Sequence, residues 1–430
     1  MSVFQLYNPR LISDKFRAKL VLERNLSAEP SLGGRVVLFQ SKEAKMLKAL
    51  FAAAAVVLSL TACNHDLFPP EEGDVSAPAG EYTGRRVVAL VPGFLGSLSR
   101  ADFNNDNQVI DWVEKILAEL RERFPEEVVS DRIPDRRALE PILGTYDDLV
   151  AGLEERDLTV APFVYDWKRH PRDLAPALGE FVAEIAAQNP ASLVVVGYSY
   201  GGLVLRQCLQ EGLCAGVDEA VLLGVPNEGT LLAYLLRGGR MAAGNVAENF
   251  IAERILGLMK LAWCPLCSDS RFVREYLPSV EAMLPASEEP FISRRQRWGR
   301  TEEISVLNSC RPNRWLYDLN RSAAAMLQHG TRVTVIAGVG TETLSHLGTN
   351  ALTPAADCEL HNPAWPDGRP PRWFGKRERY ADGDGTVTRS SAAPDWPAVS
   401  AEVAELPLGH RQLVSSEEVF GRIAALAGGK

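Results

Sequence analysis

The chain has 430 residues, 46% of them hydrophobic, and a formal net charge of −9. This length is compatible with one large domain, and the acidic charge argues against nucleic acid as an electrostatic partner. The sequence contains no Gly-rich phosphate loop, dinucleotide-binding fingerprint or metal-ligand constellation, so we predict no cofactor. It has no internal repeat and identifies no protein partner.

An export signal is predicted near the N-terminus. The segment 46–62 has a basic start, a short apolar stretch and small residues at its end, which is typical of a secretory signal. The apolar stretch is too short to span a bilayer comfortably. Leu-Thr-Ala-Cys at 60–63 is similar to a bacterial lipobox, which predicts that Cys63 is diacylated and becomes the first mature residue. We expect the true start to be Met46 and residues 1–45 to be an artefact of start-codon choice.

The charge of the mature chain bears on how it meets a membrane. Residues 1–62 carry nine Lys and Arg and four Asp and Glu, a net charge of +5, and their removal leaves −14. An anionic membrane is then no electrostatic partner, and the lipid on Cys63 would supply the attachment. Residues 63–84, rich in Pro, Gly and acidic side chains, are predicted to be a flexible tether. The prediction is an exported, membrane-anchored lipoprotein of the bacterial envelope, with residues 85–430 as its catalytic domain outside the cytoplasm.

The first predicted core strand spans residues 86–91 and leads into the loop 92–97. Gly93 and Gly96 free the backbone of this loop to turn its amide groups toward a site at the end of the strand. The loop therefore offers N–H donors at the carboxyl edge of the predicted sheet.

The pattern Gly-x-Ser-x-Gly occurs at residues 197–201, directly after the apolar run 193–196 and before a helix-like segment. A serine nucleophile on a tight strand-to-helix turn needs this pattern, because small flanking residues let the strand and the helix approach closely. Ser199 is therefore the candidate nucleophile of an α/β-hydrolase.

The oxyanion formed by attack of such a serine needs preorganised N–H donors. One is expected from the residue after the nucleophile, Tyr200, and the other from the loop after an early strand. We predict that Phe94 supplies the second amide, with its neighbour Leu95 as the alternative.

The serine also needs a base and an orienting acid, which follow it in the order Ser, Asp or Glu, His in this fold. Asp384 lies in a turn-rich segment after the predicted strand 332–338 and opens an Asp-Gly-x-Val pattern that is common in related lipases. If Asp384 is the acid, His410 is the only histidine that follows it, in a loop after the predicted last strand. Asp382 competes with Asp384 for the role of acid.

Alternating strands and helices predict the α/β class, with a mostly parallel sheet and helices on both faces. Strands are predicted at 86–91, 159–165, 192–198, 219–224, 332–338 and 401–406, and helices at 107–123, 145–155, 173–188, 200–211 and 415–427. This core does not need residues 227–328. We predict that they form a cap over the active-site edge that binds acyl chains and excludes water, although its apolar stripes are equally compatible with ordinary core packing.

Six cysteines follow Cys63, at positions 208, 214, 264, 267, 310 and 358. An even number in an exported protein favours disulfides, whose pairing the sequence leaves open. Cys264 and Cys267 have the spacing of a zinc half-site or a redox pair. No matching Cys and His set accompanies them, which favours a structural disulfide or free thiols.

Several motifs, in one order along the chain, resemble the lecithin:cholesterol acyltransferase family. They are Val-Pro-Gly-Phe-Leu-Gly at 91–96, Tyr-Asp-Trp at 165–167, Gly-Tyr-Ser-Tyr-Gly at 197–201, Leu-Gly-Val-Pro at 223–226, Gly-Val-Gly-Thr at 338–341, Asp-Gly-Asp-Gly-Thr-Val at 382–387, and His410. The resemblance spans about residues 85–425 and implies an α/β-hydrolase that acts on lipid acyl groups, with Asp166 and Trp167 at its pocket. The chain departs from the family at Lys168, where arginine is usual, and at Asn227 and Glu228, where bulkier or small apolar residues are usual.

The predicted function is that of a serine esterase or lipase, or of a lipid O-acyltransferase, with Ser199, Asp384 and His410 as catalytic triad. An acyl-enzyme would pass its acyl group to water or to an alcohol. Two alternatives belong to other classes. One is a catalytically silent envelope lipoprotein that uses the fold for binding, and the other is an amidase or peptidase.

Overall fold

The structure is a computed structural model, and it describes residues 80–98, 100–103, 107–123, 146–240, 246–295, 300–350, 363–371, 378–396 and 399–429. All of these residues belong to one structural unit, Leu67–Lys430. The predicted extension, the predicted signal, Cys63 and nearly all of the predicted tether lie outside the described residues. No helix in this described part of the chain is both long and apolar enough to cross a bilayer.

The described residues form ten strands and eleven α-helices. The strands are β1 Arg86–Val91, β2 Thr159–Pro162, β3 Ser192–Tyr198, β4 Glu219–Leu223, β5 Ile292–Arg295, β6 Thr301–Ile304, β7 Arg332–Gly338, β8 Thr341–Asn350, β9 Arg379–Gly383 and β10 Glu402–Leu406. The helices are α1 Asn107–Arg123, α2 Asp147–Glu154, α3 Pro171–Ala186, α4 Tyr200–Gln210, α5 Leu231–Arg237, α6 Val246–Trp263, α7 Asp269–Tyr276, α8 Pro278–Ala282, α9 Arg314–Arg321, α10 Arg389–Ala392 and α11 Glu417–Ala427. Short 3-10 helices cover Arg100–Phe103, Ala323–Gly330 and Arg411–Val414.

Six strands form the main sheet, in the order β10-β7-β4-β3-β1-β2, and every pair of neighbours is parallel. Strand β3 lies between β1 and β4, and Val195 pairs with Ala89 on one side and Ala220 on the other. The central strands are buried on both faces, which explains why their sequences are continuous apolar runs. The parallel arrangement brings the carboxyl ends of all six strands to one edge.

Helices cover both faces of this sheet, and the period of two along each strand divides its side chains between them. In β1, Ala89 belongs to one apolar cluster with residues of α3 and α4, whereas Leu90 belongs to the other, with residues of α2 and α11. Representative members of the first cluster are Leu174, Leu178, Leu203 and Val204, and of the second Leu149, Leu153, Val419 and Phe420. The predicted layer order, helix–sheet–helix, is present.

A second, smaller sheet has the order β6-β5-β8-β9 and was not anticipated from the sequence. Strand β5 is antiparallel to β6 and parallel to β8, and β8 is antiparallel to β9. Strands β5 and β6 are four residues long and include Arg and Glu side chains, so they lack the apolar alternation that identifies a strand. The second sheet joins strands of the predicted cap segment to strands that follow β7.

Two disulfides are fully described. Cys208 at the end of α4 is bonded to Cys214, and Cys264 after α6 is bonded to Cys267. The second confirms the expectation of a structural disulfide in place of a zinc half-site. Cys310 is also disulfide-bonded, whereas Cys358 lies outside the described residues.

The element boundaries differ from the predicted ones by a few residues. The strand predicted at 159–165 ends at Pro162, and the helix predicted at 173–188 starts at Pro171 and ends at Ala186. The helix starts early because Pro171 has a backbone angle suited to its first position, and the ring Nδ1 of His170 accepts the N–H of Arg172 at 3.2 Å. Histidine is not among the common N-capping residues, so the pattern gave no sign of this start.

This capping role predicts a pH dependence of stability. Burial, and secondarily the charge of Arg172, lower the pKa of His170 from 6.5 to about 4. As the pH falls from 6.5 toward 4, the unfolded chain takes up a proton at His170 that the folded chain does not, so the free energy of unfolding falls. His170→Asn keeps an N-cap acceptor and removes the titration.

We therefore expect the wild-type protein to lose more stability than His170→Asn between pH 6.5 and pH 4. The expected difference is about 1 kcal/mol, below the full value of the pKa shift because the ring is partly exposed. Urea unfolding at both pH values measures it. Equal losses in the two proteins would show that His170 is not a source of acid lability.

Candidate active site

Ser199 lies on the turn between β3 and α4 in a strained backbone conformation, with φ 52° and ψ −123°. The close packing of this turn leaves no room for larger residues. A Cβ at position 201 would lie 2.2 Å from the carbonyl oxygen of Val91, and one at position 197 would lie 2.6 Å from the Cα of Gly202. The Gly-x-Ser-x-Gly pattern is therefore a packing requirement of the turn.

The three residues predicted to form the triad are hydrogen-bonded to one another. His410 Nε2 is 3.0 Å from Ser199 Oγ, and His410 Nδ1 is 2.7 Å from Asp384 Oδ2. A carboxylate only accepts, so Nδ1 carries the proton and Nε2 is left to accept the hydroxyl proton of Ser199. This is the arrangement that a serine nucleophile needs.

Backbone amides hold the carboxylate of Asp384 in place. Its Oδ1 accepts the N–H groups of Thr386 at 2.8 Å and Val387 at 2.7 Å, which leaves Oδ2 for the histidine. The main chains are joined as well, because the N–H of His410 donates to the carbonyl of Asp384 at 2.8 Å. The side chain of Asp384 is fully buried, so water does not compete for these bonds.

The competing acid, Asp382, lies in a different environment. It is exposed on β9, and its Oδ1 accepts the N–H of Gly340 at 2.6 Å. This bond joins β9 to the turn between β7 and β8. The structure thus places Asp384 against His410 and gives Asp382 a contact in the second sheet.

The amides predicted for the oxyanion hole are available. Within the described residues, neither the Phe94 nor the Tyr200 N–H has a protein acceptor, and Tyr200 is the first residue of α4, where no intrahelical acceptor exists. The N–H of Leu95 is equally without an acceptor among these residues, and its φ is 59°. The choice between Phe94 and Leu95 therefore stays as the sequence left it.

Asp166 and Trp167, predicted at the pocket, are buried beside the loop 92–97. The indole N–H of Trp167 donates to the carbonyl of Ser97 at 2.7 Å, and its ring meets the Phe94 ring edge-on at 4.7 Å. These contacts support the loop that carries the Phe94 amide. A role of Asp166 and Trp167 in binding substrate remains a prediction.

Lys168, which departs from the resembled family, closes a buried ionic cluster behind this loop. Its Nζ is 2.7 Å from Asp166 Oδ1 and also contacts Asp102. Burial lowers the pKa of Lys168, but the two carboxylates outweigh that effect and raise it overall, so the ammonium group stays charged. The indole N–H of Trp263, in α6, donates to the carbonyl of Asp102 at 2.8 Å and so joins the cluster to the predicted cap.

Asn227 and Glu228, the other departure, join the segment after β4 to the segment that carries the acid. Asn227 is fully buried, and its amide group donates to the carbonyl of Ala392 at 2.8 Å. The N–H of Glu228 donates to Ser391 Oγ at 3.1 Å, and Thr230 Oγ1 donates to the carbonyl of Thr386 at 2.8 Å. The side-chain bond explains the polar residue at 227, whereas the bond of Glu228 uses its backbone and does not depend on its side chain.

Two tyrosines near the site were assigned no role from the sequence, although Tyr198 lies within the Gly-x-Ser-x-Gly motif. Tyr198 Oη donates to the carbonyl of His410 at 3.1 Å, and Tyr146 Oη accepts the N–H of Gly93 at 2.8 Å. Tyr146 stands outside every motif, so only the fold brings it here. No group of three or more His, Cys, Asp or Glu side chains in the described ranges is placed to hold a metal ion.

The topology and the turn at Ser199 identify the fold. A parallel sheet flanked by helices, with a serine on the strand-to-helix turn after a central strand and an acid and a histidine after later strands, is the α/β-hydrolase fold. This confirms the predicted fold class.

Comparisons with known proteins find solved structures of low similarity. No protein-family model matches the chain, and neither does any curated protein. Among solved structures, the mature Bacillus licheniformis lipase BlEst2 is similar at 13% identity and a TM-score of 0.39, over 84% of this chain and 96% of that chain. The Tle4–Tli4 complex is similar at 15% identity and a TM-score of 0.35, over 73% of this chain and 78% of that chain. A thermostable carboxyl esterase from Bacillus coagulans is similar at 11% identity and a TM-score of 0.22, over 61% of this chain and 74% of that chain.

Proposed function

We propose that this protein is a serine hydrolase that acts on carboxylic esters, with Ser199 as its nucleophile. The observation that carries the proposal is the unbroken chain of hydrogen bonds from Asp384 through His410 to Ser199. Each link has the donor and acceptor that acyl transfer requires, and the predicted oxyanion donors, the amides of Tyr200 and Phe94, have no acceptor among the described residues.

The geometry supports a mechanism in two half-reactions. Ser199 Oγ attacks the ester carbonyl while His410 Nε2 takes its proton, and Asp384 stabilises the resulting imidazolium. The amides of Tyr200 and Phe94 hold the oxyanion. The tetrahedral intermediate then expels the alcohol, which receives the proton from His410, and leaves an acyl-enzyme.

The finer proposal concerns the acyl group and its acceptor. The motifs shared with the lecithin:cholesterol acyltransferase family support lipid acyl esters as substrates, with either water or an alcohol as the acceptor. In both cases His410 deprotonates the incoming hydroxyl and returns the proton to Ser199 as the acyl-enzyme breaks down. Mass spectrometry of the products formed from phospholipid, with and without a sterol or diacylglycerol, separates hydrolysis from acyl transfer.

Ser199→Ala and His410→Ala test the assignment of the nucleophile and base. Each should lower kcat on an aryl ester by about 10⁴- to 10⁶-fold, because triad members act as a unit. Denaturant unfolding should show a small change in stability for Ser199→Ala, since only a hydroxyl is lost, and a larger loss for His410→Ala, which removes a mostly buried imidazole from the buried Asp384 carboxylate. A fluorophosphonate should label the wild type and not Ser199→Ala. Near-normal turnover by His410→Ala would contradict the assignment, and faster turnover of aryl amides than of aryl esters would favour an amidase.

A matched pair of substitutions separates the two candidate acids. Asp384→Asn should lower kcat by about 10⁴-fold, because the asparagine amide favours the wrong tautomer of His410. Asp382→Asn removes the same charge from an exposed residue and should keep most of the activity. Ester turnover of both purified variants is compared with that of the wild type, and the reverse order of effects would make Asp382 the acid.

We also propose that Cys63 carries a lipid that anchors the protein in the bacterial envelope. The lipobox-like sequence at 60–63 supports this. The wild-type protein should partition into detergent and begin at a diacylated Cys63, whereas Cys63→Ser should stay in the aqueous phase and keep its turnover of soluble esters. Mass spectrometry of the mature N-terminus makes the measurement, and an unmodified Cys63 in the wild type would remove the anchor.

A further inference from the structure

We infer that Tyr146 is a positioning residue of the oxyanion hole, through the hydrogen bond that its hydroxyl accepts from Gly93. The inference rests on the proposed function, since it concerns how that site is held. Tyr146 directly precedes α2, is 4% exposed, and its Oη lies 2.8 Å from the Gly93 nitrogen. It is 53 residues from Gly93 in the chain and belongs to none of the motifs around the site.

The bond acts on the residue next to the predicted oxyanion donor. By accepting the N–H of Gly93, the hydroxyl holds the Pro92–Gly93 peptide, whose carbonyl accepts the hydroxyl of Tyr165. The N–H of Phe94, in the next peptide, is left without a protein acceptor among the described residues. The loop bond from the Gly96 N–H to the Gly93 carbonyl, at 3.0 Å, fixes the following peptide plane. That following peptide carries the N–H of Phe94, so the two bonds hold the peptide of the predicted donor and the peptide directly before it.

The loop has little freedom to move relative to the nucleophile. A Cβ at position 93 would lie 3.1 Å from Ser199 Cβ and 3.2 Å from Tyr198 Cδ1, so the Gly93 backbone passes directly beside the serine. A displacement of the loop by a few tenths of an ångström changes the distance from its amides to the oxyanion. Such misplacements are costly, because the donors act only at hydrogen-bond distance.

The ring of Tyr146 also meets the support of the catalytic histidine. It packs edge-on against Tyr198 with a centroid distance of 5.8 Å. The Tyr198 ring lies 5.1 Å from the His410 ring, and its hydroxyl donates to the His410 carbonyl. The loop 92–97 and the loop that carries His410 are therefore both bonded to the same pair of packed tyrosine rings. Burial raises the pKa of Tyr146 far above its ordinary value, which keeps the hydroxyl neutral.

Tyr146→Phe tests the inference, because it removes the acceptor and keeps the ring. On a short soluble ester, with kcat expressed per fluorophosphonate-titrated serine, kcat should fall by about 10- to 100-fold, less than the loss of a whole oxyanion donor. The KM should change by less than about twofold, because the bond acts on the transition state. The rate at which a phosphonate reacts with Ser199 should fall with kcat. The acid limb of the kcat/KM pH profile should not move, because Asp384 and His410 keep their bond.

Tyr234→Phe is the matched control. Tyr234 is also buried, and its Oη accepts the Asp367 N–H at 3.2 Å and donates to the Gly368 carbonyl at 2.9 Å, so the substitution also leaves a buried backbone N–H without its acceptor. It should lower the stability to urea and leave kcat within about twofold of the wild-type value.

Equal kcat for Tyr146→Phe and Tyr234→Phe, or a Tyr146→Phe effect confined to stability or KM, would overturn the inference. A displaced acid limb would do the same, since it would show that the substitution acts through the histidine. If Ser199→Ala keeps its ester turnover, the proposed function itself has failed. If Ser199→Ala is inactive and Tyr146→Phe is fully active, the inference about Tyr146 has failed alone.

Discussion

The strained turn at Ser199 is the constraint on which the rest of the site depends. A non-glycine residue at φ 52° costs about 1 to 3 kcal/mol and persists only where its surroundings overdetermine it. Here the surroundings are β3, which pairs on both sides within the sheet, and α4, whose backbone approaches that of β1 too closely for a side chain at position 201. The packed core therefore maintains the strained backbone conformation of Ser199, and this conformation presents the hydroxyl at the site. The acid, the histidine and the oxyanion donors must therefore all lie close to the hydroxyl of Ser199.

Different parts of the fold position the acid and the histidine. His410 follows β10, at the carboxyl edge of the main sheet, 211 residues from Ser199 in the chain. Asp384 follows β9 of the second sheet, where it forms a bridge with Thr341, and the N–H of Gly385 donates to Thr343 Oγ1 at 2.8 Å. The second sheet, continuous with the end of β7, sets the position of the carboxylate. The distance from Asp384 to His410 thus depends on the join between the two sheets.

This division explains what could be predicted from the sequence. The central strands β1, β3, β4 and β7 are buried on both faces, so their apolar runs could be recognised, and Ser199 directly follows β3. His410 follows the edge strand β10 after three residues, and in β10 only Ala404 and Leu406 are buried. Strands β5, β6, β8 and β9 are short or rich in polar residues, and their pairing joins distant segments, which no local pattern records. The Asp-Gly-x-Val pattern favoured Asp384 over Asp382, but the second sheet that separates the two carboxylates was not predicted. Tyr146 was missed because its role is created by tertiary contact alone.

A buried arginine joins the nucleophile helix to the segments around the acid. Arg206 in α4 is fully buried, and it donates at 2.9 Å to Asn227 Oδ1 and to Asn320 Oδ1, while its guanidinium lies 4.8 Å from the Trp396 ring. Burial lowers the pKa of Arg206 to about 9, so it is still charged at neutral pH. Its acceptors are neutral oxygens from two segments. The planar guanidinium of arginine can donate to both at once, whereas the ammonium group of a lysine is a compact point charge without this fork of donors. Because Asn227 in turn bonds to Ala392, this one side chain connects the helix behind Ser199 with the segment that follows Asp384.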